Sequence, residues 1–323
     1  MTTSAQPTAQ PPAATPARPR TLRRRLRRTV RRVGAVVGLG WVRLELAVLQ
    51  RVAPGVADRK ALDAWCTLPP GAAARRHDHR PGPGDVVRLE VADGRTVAAE
   101  VWGEGPVVYL QHGWGGWRGQ LGALVAPLVD AGYRVVAVDA PGHGDADPGM
   151  LGPRRGTIIE MIAALHAAGR EFGPAAGVVA HSLGTTVAAR AIREGLPVER
   201  LVLVAPNPSF DWIVDHFART LGLRERAKAH LRSAIEDITS LRISDFDLVP
   251  LGADGAMPTT LVVHDHDDAE VPYAIGAELA DAWPDARLLS TRRLGHYRIL
   301  GSPEVAAAAV EHVTASQPAN DPA

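Results

Sequence analysis

The sequence predicts an α/β protein, a mostly parallel sheet covered by helices on both faces. Three observations carry that prediction. Apolar, β-branched runs at 106–110, 133–139, 198–205 and 259–263 lack the alternation of a half-exposed strand, as strands covered on both faces should. They alternate with stretches of ten or more residues that have helical periodicity, the signature of crossover units. Between 177 and 189 an apolar run ends at His181-Ser182-Leu183-Gly184 and gives way to Ala-rich helical sequence, which reads strand, sharp turn, helix.

Composition sets the bounds. The chain has 323 residues and is 46% hydrophobic, enough for a large core. Its single cysteine, Cys66, excludes an intrachain disulfide and a multi-cysteine metal site. The net charge is +1, yet residues 18–32 hold nine arginines and no acid, leaving −8 for the remainder. Lysine is confined to Lys60 and Lys228, so base composition of the genome accounts for part of the arginine content.

Residues 1–20 are rich in Ala, Pro and Thr and read as a disordered tail. A basic and amphipathic helical extension follows over 21–77, in which Leu22, Leu26, Val30, Val33, Val37, Trp41, Leu44 and Val48 recur every three or four residues and form one helical face. Arg43 and Glu45 interrupt the apolar run, which is too short to span a bilayer. No Ala-x-Ala cleavage site follows, so export, including the twin-arginine route suggested by Arg31-Arg32, is disfavoured against a cytoplasmic location. The helix either packs on the main domain or lies on an anionic membrane surface as a peripheral contact. The basic run lacks interleaved aromatics and belongs to no reading module, so no nucleic-acid partner is expected. Ala53-Pro54-Gly55 ends this helix, and a short one over 57–65 precedes the turn at Pro69-Pro70-Gly71.

The first core segment covers 78–205. Residues 85–91 and 96–102 alternate about Asp93-Gly94 as an edge hairpin, and the strand at 106–110 ends in His112-Gly113-Trp114-Gly115-Gly116-Trp117. Glycine there lets backbone approach a ligand, so Trp114 can turn its amide inward while His112 serves as a structural hydrogen-bonder. Residues 120–130 and 157–172 read as helices, and Asp139 to Asp145 as a polar loop at the end of a strand. In open sheets of this kind ligand groups gather at the carboxyl ends of strands, where Asp139 and Ser182 both fall. No phosphate-binding glycine pattern occurs, so neither nucleotide nor other cofactor is implied.

About fifty residues, 206–257, separate two interior strands and carry helical periods of their own, which reads as a small helical cap. Phe210, Trp212, Phe217, Leu221 and Phe246 are its candidate pocket residues. The second core segment, 258–316, delivers His264-Asp265-His266-Asp267-Asp268-Ala269-Glu270-Val271-Pro272, then a helix over 273–282, a strand at 286–290, Gly295-His296 and a closing helix, before a tail at 317–323. The acidic cluster lacks the helical spacing of a zinc site, and no metal is assigned to it. A serine followed along the chain by an acid and then a histidine gives the order nucleophile, acid, base. A serine at its free pKa is a poor nucleophile, so it needs an imidazole in reach and an acid to fix the tautomer.

From 89 to 310 the chain resembles the α/β-hydrolase superfamily, through His112-Gly113-Trp114, Asp139 to Gly144, His181-Ser182-Leu183-Gly184, Asp268-Ala269-Glu270-Val271-Pro272 and Gly295-His296 in order. Ala180 stands where the elbow motif has its first glycine, and Asp145 where small residues often stand. The resemblance implies a serine nucleophile at Ser182, Asp268 rather than its acidic neighbours as the acid, His296 as the base, and the amides of Trp114 and Leu183 as oxyanion donors. It implies a serine esterase acting on a small to medium hydrophobic acyl substrate through an acyl-enzyme. An acyltransferase, a thioesterase, carbon-carbon bond hydrolysis, amide cleavage or a non-catalytic binding module remain alternatives.

Overall fold

The computed structural model describes residues 38–69, 78–92 and 94–315. The tails at 1–20 and 317–323, the basic run up to Val37 and the turn at Pro70-Gly71 lie outside them. Eight strands form one sheet in the order β1-β2-β4-β3-β5-β6-β7-β8. They are β1 Asp85–Ala92, β2 Arg95–Trp102, β3 Val107–Gln111, β4 Arg134–Val138, β5 Ala175–His181, β6 Arg200–Val204, β7 Thr259–Asp265 and β8 Ala286–Thr291. The β1–β2 hairpin joins β4 antiparallel, and every pairing from β4 to β8 is parallel.

The interior strands are apolar on successive residues because both of their faces are covered. Val108, Leu110, Val179, Val202, Val204, Leu261 and Val263 enter a core beneath α3 (Val125–Asp130) and α11 (Pro303–Thr314). Tyr109, Val178, Ala180, Leu201, Leu203 and Val262 point the other way, into a larger core with α4 (Ile158–Phe172) and α5 (Leu183–Arg193). Full burial of one such Leu or Val contributes about 1.5–3 kcal/mol, and a slip of one residue would send each set to the opposite core. Helix α4 starts where Thr157 caps the amide of Glu160 and the Glu160 carboxylate accepts from the Thr157 hydroxyl at 2.9 Å.

The stretch expected as one helix over 120–130 is instead a 3-10 turn, Arg118–Leu124, followed by α3. Gly122 explains part of the difference, since a β-carbon there would come 2.5 Å from the Arg80 amide and that neighbour fixes the path. The cap segment forms α6 (Phe210–Leu221), α7 (Glu225–Thr239), a 3-10 turn at Ile243–Phe246 and α8 (Leu248–Gly252). Helix α9 (Tyr273–Ala282) links β7 to β8.

Before the sheet, residues 38–52 are helical and form α1, and Pro54 opens α2 (Pro54–Cys66), which starts three residues earlier than the 57–65 expected. Proline suits a first helical turn because its missing N–H has no intrahelical partner there. The hairpin of α1 and α2 is fastened to the cap. Gln50 donates to the Gly222 carbonyl at 3.2 Å and accepts from the Arg224 amide at 2.7 Å. The buried Asp58 carboxylate takes Arg226 at 2.8 Å. Leu46 and Ala57 pack on Leu221, so the inward face of α1 is not the Trp41, Leu44 and Val48 face that the periodicity picks out.

Candidate active site

Ser182 sits between β5 and α5 with φ 53° and ψ −127°, a left-handed conformation that costs a non-glycine residue about 1–3 kcal/mol. Close packing makes room for it. A β-carbon on Gly184 would meet the carbonyls of His112 and Gln111 at 2.6 and 2.7 Å, and one on Gly113 would meet the Ser182 β-carbon at 2.9 Å. Ala180 is fully buried within β5 and does not occupy the strained position.

The Ser182 hydroxyl lies 3.1 Å from His296 Nε2, and His296 Nδ1 lies 2.7 Å from Asp268 Oδ2. Asp268 Oδ1 also accepts the amides of Glu270 and Val271. Burial opposes the charge on Asp268, but bonds from His264, His296 and Val271 outweigh it and hold the carboxyl well below the usual carboxylate range. An ionised partner at Nδ1 keeps the proton on that nitrogen and leaves Nε2 free to accept from the hydroxyl. Thus the three side chains that lie far apart in sequence meet in one line.

Asp265 plays a different part, which nothing in the cluster's sequence distinguishes. At the end of β7 its carboxylate accepts the Asp267, Leu294 and Gly295 amides and the Thr291 hydroxyl. It therefore shapes the loop that presents His296. His181 adds a second tether, its Nε2–H donating to the His296 carbonyl at 2.9 Å. His264 Nε2 lies 3.2 Å from the Val271 carbonyl and 3.5 Å from Asp268.

The loop after β3 is held by His112, whose Nδ1–H donates to the Gly113 carbonyl while its Nε2 accepts the Ala140 amide. Asp139 is structural too. It binds the Arg118 amide and guanidinium, and Arg118 reaches Glu100 at 2.9 Å and Asp145 at 2.8 Å. Asp145, the departure from small residues in this loop, is thus part of an ion-pair network that fixes the turn following Trp114 to Trp117. Leu183 opens α5, where a first-turn amide has no intrahelical acceptor, and both Leu183 and Trp114 border the cavity above Ser182.

That cavity has a volume of about 390 Å³. Phe210, Trp212 and Phe217 of the cap line it, whereas Leu221 packs on α1 and α2 and Phe246 is fully buried against Phe210. Its outer wall includes Trp65, Cys66 and Thr67, which sequence reasoning missed. Trp65 meets Phe217 edge to face at 5.2 Å. The chain beyond it is stitched to 154–156 by bonds from the Leu68 amide to the Arg154 carbonyl and from Gly156 to Cys66. Burial pushes the Cys66 thiol up to about 11, so this wall residue is a neutral, apolar one.

A mostly parallel sheet with a turn-borne serine at one strand end and a cap inserted after β6 is the frame of a hydrolase class. The alpha/beta hydrolase fold description matches residues 106–216, and that of a TAP-like protein matches 247–321. The chain belongs to the α/β-hydrolase superfamily, and hydrolase activity is the level of function that this membership supports. A pimeloyl-acyl-carrier protein methyl ester esterase from Stenotrophomonas maltophilia is 29% identical over 263 residues, covering 67% of this chain and 96% of that protein. A 2-hydroxy-6-oxononadienedioate/2-hydroxy-6-oxononatrienedioate hydrolase from Comamonas testosteroni is 26% identical over 239 residues, 60% of this chain and 82% of its own. Among solved structures, an esterase from Exiguobacterium antarcticum superposes with a TM-score of 0.54 at 16% identity, over 71% of this chain and 99% of that one. At that identity the likeness concerns the fold alone.

Proposed function

We propose that the protein is a serine esterase that cleaves carboxylic esters of small to medium, uncharged hydrophobic substrates through an acyl-enzyme. The observation that carries this is the Ser182–His296–Asp268 line, at 3.1 and 2.7 Å, opening into an apolar cavity. His296 Nε2 takes the hydroxyl proton as Ser182 attacks the ester carbonyl carbon. The amides of Leu183 and Trp114 receive the oxyanion, aided by the positive end of α5. His296 then protonates the departing alcohol; water enters, gives a proton to the same imidazole as it attacks the acyl carbon, and that proton passes to Ser182 Oγ as the acyl–Oγ bond breaks and the acid leaves.

The lining supports the substrate class. Aromatic and aliphatic side chains from both the cap and α2 dominate it, and Glu270 is the one carboxylate or basic chain group at its edge besides His296 among the described residues. An anionic acyl group would enter without a cation to pair with, which burial penalises by several kcal/mol. The relatives' names mention a dioate and a carrier-protein ester, and the apolar wall here favours neither.

The test is the initial rate on p-nitrophenyl esters of graded acyl length, comparing the native protein with Ser182→Ala. Turnover should fall by about 10³-fold or more in the variant. The acyl length that is best hydrolysed sizes the cavity. Equal turnover by both proteins would overturn the assignment.

A further inference from the structure

The outer side of α1 carries a stripe that no packing among the described residues covers. Trp41, Leu44, Val48 and Val52 are 68%, 56%, 50% and 72% exposed. Their spacing of three, four and four residues puts them on one side of three helical turns. Leu46 and Gln50, on the opposite side, hold the helix to Leu221, Gly222 and Arg224. The stripe is therefore presented outward on a helix whose orientation the cap fixes. Elsewhere, the large apolar side chains with the greatest exposure, Val86 and Met150, stand singly.

Charge says what covers it. The stripe begins nine residues after a segment, 18–32, with nine arginines, and no acidic residue occurs before Glu45. Without those arginines the chain carries −8, so an anionic surface repels the body and attracts only this end. An apolar stripe alone would fit another protein, and an arginine run alone would fit nucleic acid. Together, in adjacent segments, they fit a bilayer, whose headgroups pair with arginine while its acyl boundary takes Trp, Leu and Val. Among the described residues no helix is long and apolar enough to cross a membrane. We propose that the outward stripe of α1 docks the protein on an anionic lipid surface. This inference stands apart from the esterase reading.

The test is co-sedimentation of the full chain with sucrose-loaded vesicles, either phosphatidylcholine alone or with about a third phosphatidylglycerol. Partition should be at least tenfold greater for the anionic vesicles and should fall by about tenfold when salt rises from about 0.1 to 0.5 M. The double variant Leu44→Asp/Val48→Asp should lose about tenfold in partition while keeping its melting temperature and its turnover of a short soluble ester. Trp41→Arg, a single change at an exposed site, is the second variant and should weaken binding in the same direction. Native-like partition by both variants would overturn the proposal, as would equal binding to both vesicle types. It would also be overturned by a native dimer that the aspartates dissociate, with no vesicle binding, or by binding to duplex DNA but not to vesicles.

Discussion

Acid should unfold this protein early, through histidines packed beside the active serine. Burial pushes the imidazoles of His143 and His181 down to about 3 and that of His112 to about 4, against an ordinary 6.5. His112 and His143 lie 5.0 Å apart, ring to ring, and His181 lies 4.7 Å from His296. In the folded protein these rings stay neutral, whereas the unfolded chain takes up protons as pH drops below 6.5. Stability is therefore fully present above 6.5 and falls with pH until the folded rings themselves titrate near 4 to 3. Relative to pH 7.5, each ring removes about 2 kcal/mol by pH 5, and the three together about 6. That is comparable with the whole stability of an ordinary domain, about 5–15 kcal/mol. The carboxylates held low, Asp265 and Asp268 among them, contribute stability above about 3.8 and lose it below, so they are silent in this window, whereas Asp139 and Asp247, raised by burial, take up protons first in the folded protein and act against the histidines. His312, also lowered by burial, acts in the same direction as the three. Urea unfolding at pH 7.5, 6 and 5, with proton uptake from the slope, is the assay. The slope near pH 5 should be about 4 kcal/mol per pH unit, and His181→Gln should reduce it by about one proton. A stability at pH 5 within about 1 kcal/mol of that at pH 7.5 would refute the reasoning.

Two substitutions test the frame around the site. In Gly113→Ala the added carbon would meet the His181 carbonyl at 2.8 Å and the Ser182 β-carbon at 2.9 Å, pushing the Trp114 loop off the elbow. Esterase turnover should fall about 100-fold, and the overpacking should cost about 1–3 kcal/mol in urea titration. Arg118→Met leaves Asp139 buried with only amide partners, since Glu100 keeps Arg80 at 2.7 Å. It should destabilise the protein by about 3–5 kcal/mol in urea titration.

The strands and the elbow were legible because their signals are local. A doubly covered strand must be apolar on successive residues, and a strained turn before a helix restricts its neighbours to small side chains. The side-chain partners were less legible, since only the folded loops give His296 to Asp268 and the Thr291 hydroxyl and Gly295 amide to Asp265. Distance along the chain hid the rest. Trp65 reads as part of an ordinary short helix, and only the path from Cys66 past Arg154 brings it to the cavity. Periodicity found an apolar face on α1 but could not say which side would meet the cap, because Leu46 and Leu49 supply a second one. The split of the helix expected at 120–130 followed from contact with residues 79 and 80, forty positions upstream in sequence.

The wall formed by Trp65, Cys66 and Thr67 lies outside both stretches that match the family descriptions, 106–216 and 247–321. The cavity is therefore built partly from residues that the family descriptions do not reach, beside Phe210 and Trp212, which they do. Sequence change in the N-terminal hairpin can reshape what the protein accepts while leaving the reacting line untouched. Because Asp58 and Gln50 tie that hairpin to α7 and its leading turn, such a change is also transmitted to the cap. A single substitution in the hairpin thus reaches the cavity from two sides, through its own wall and through the cap helices bonded to it.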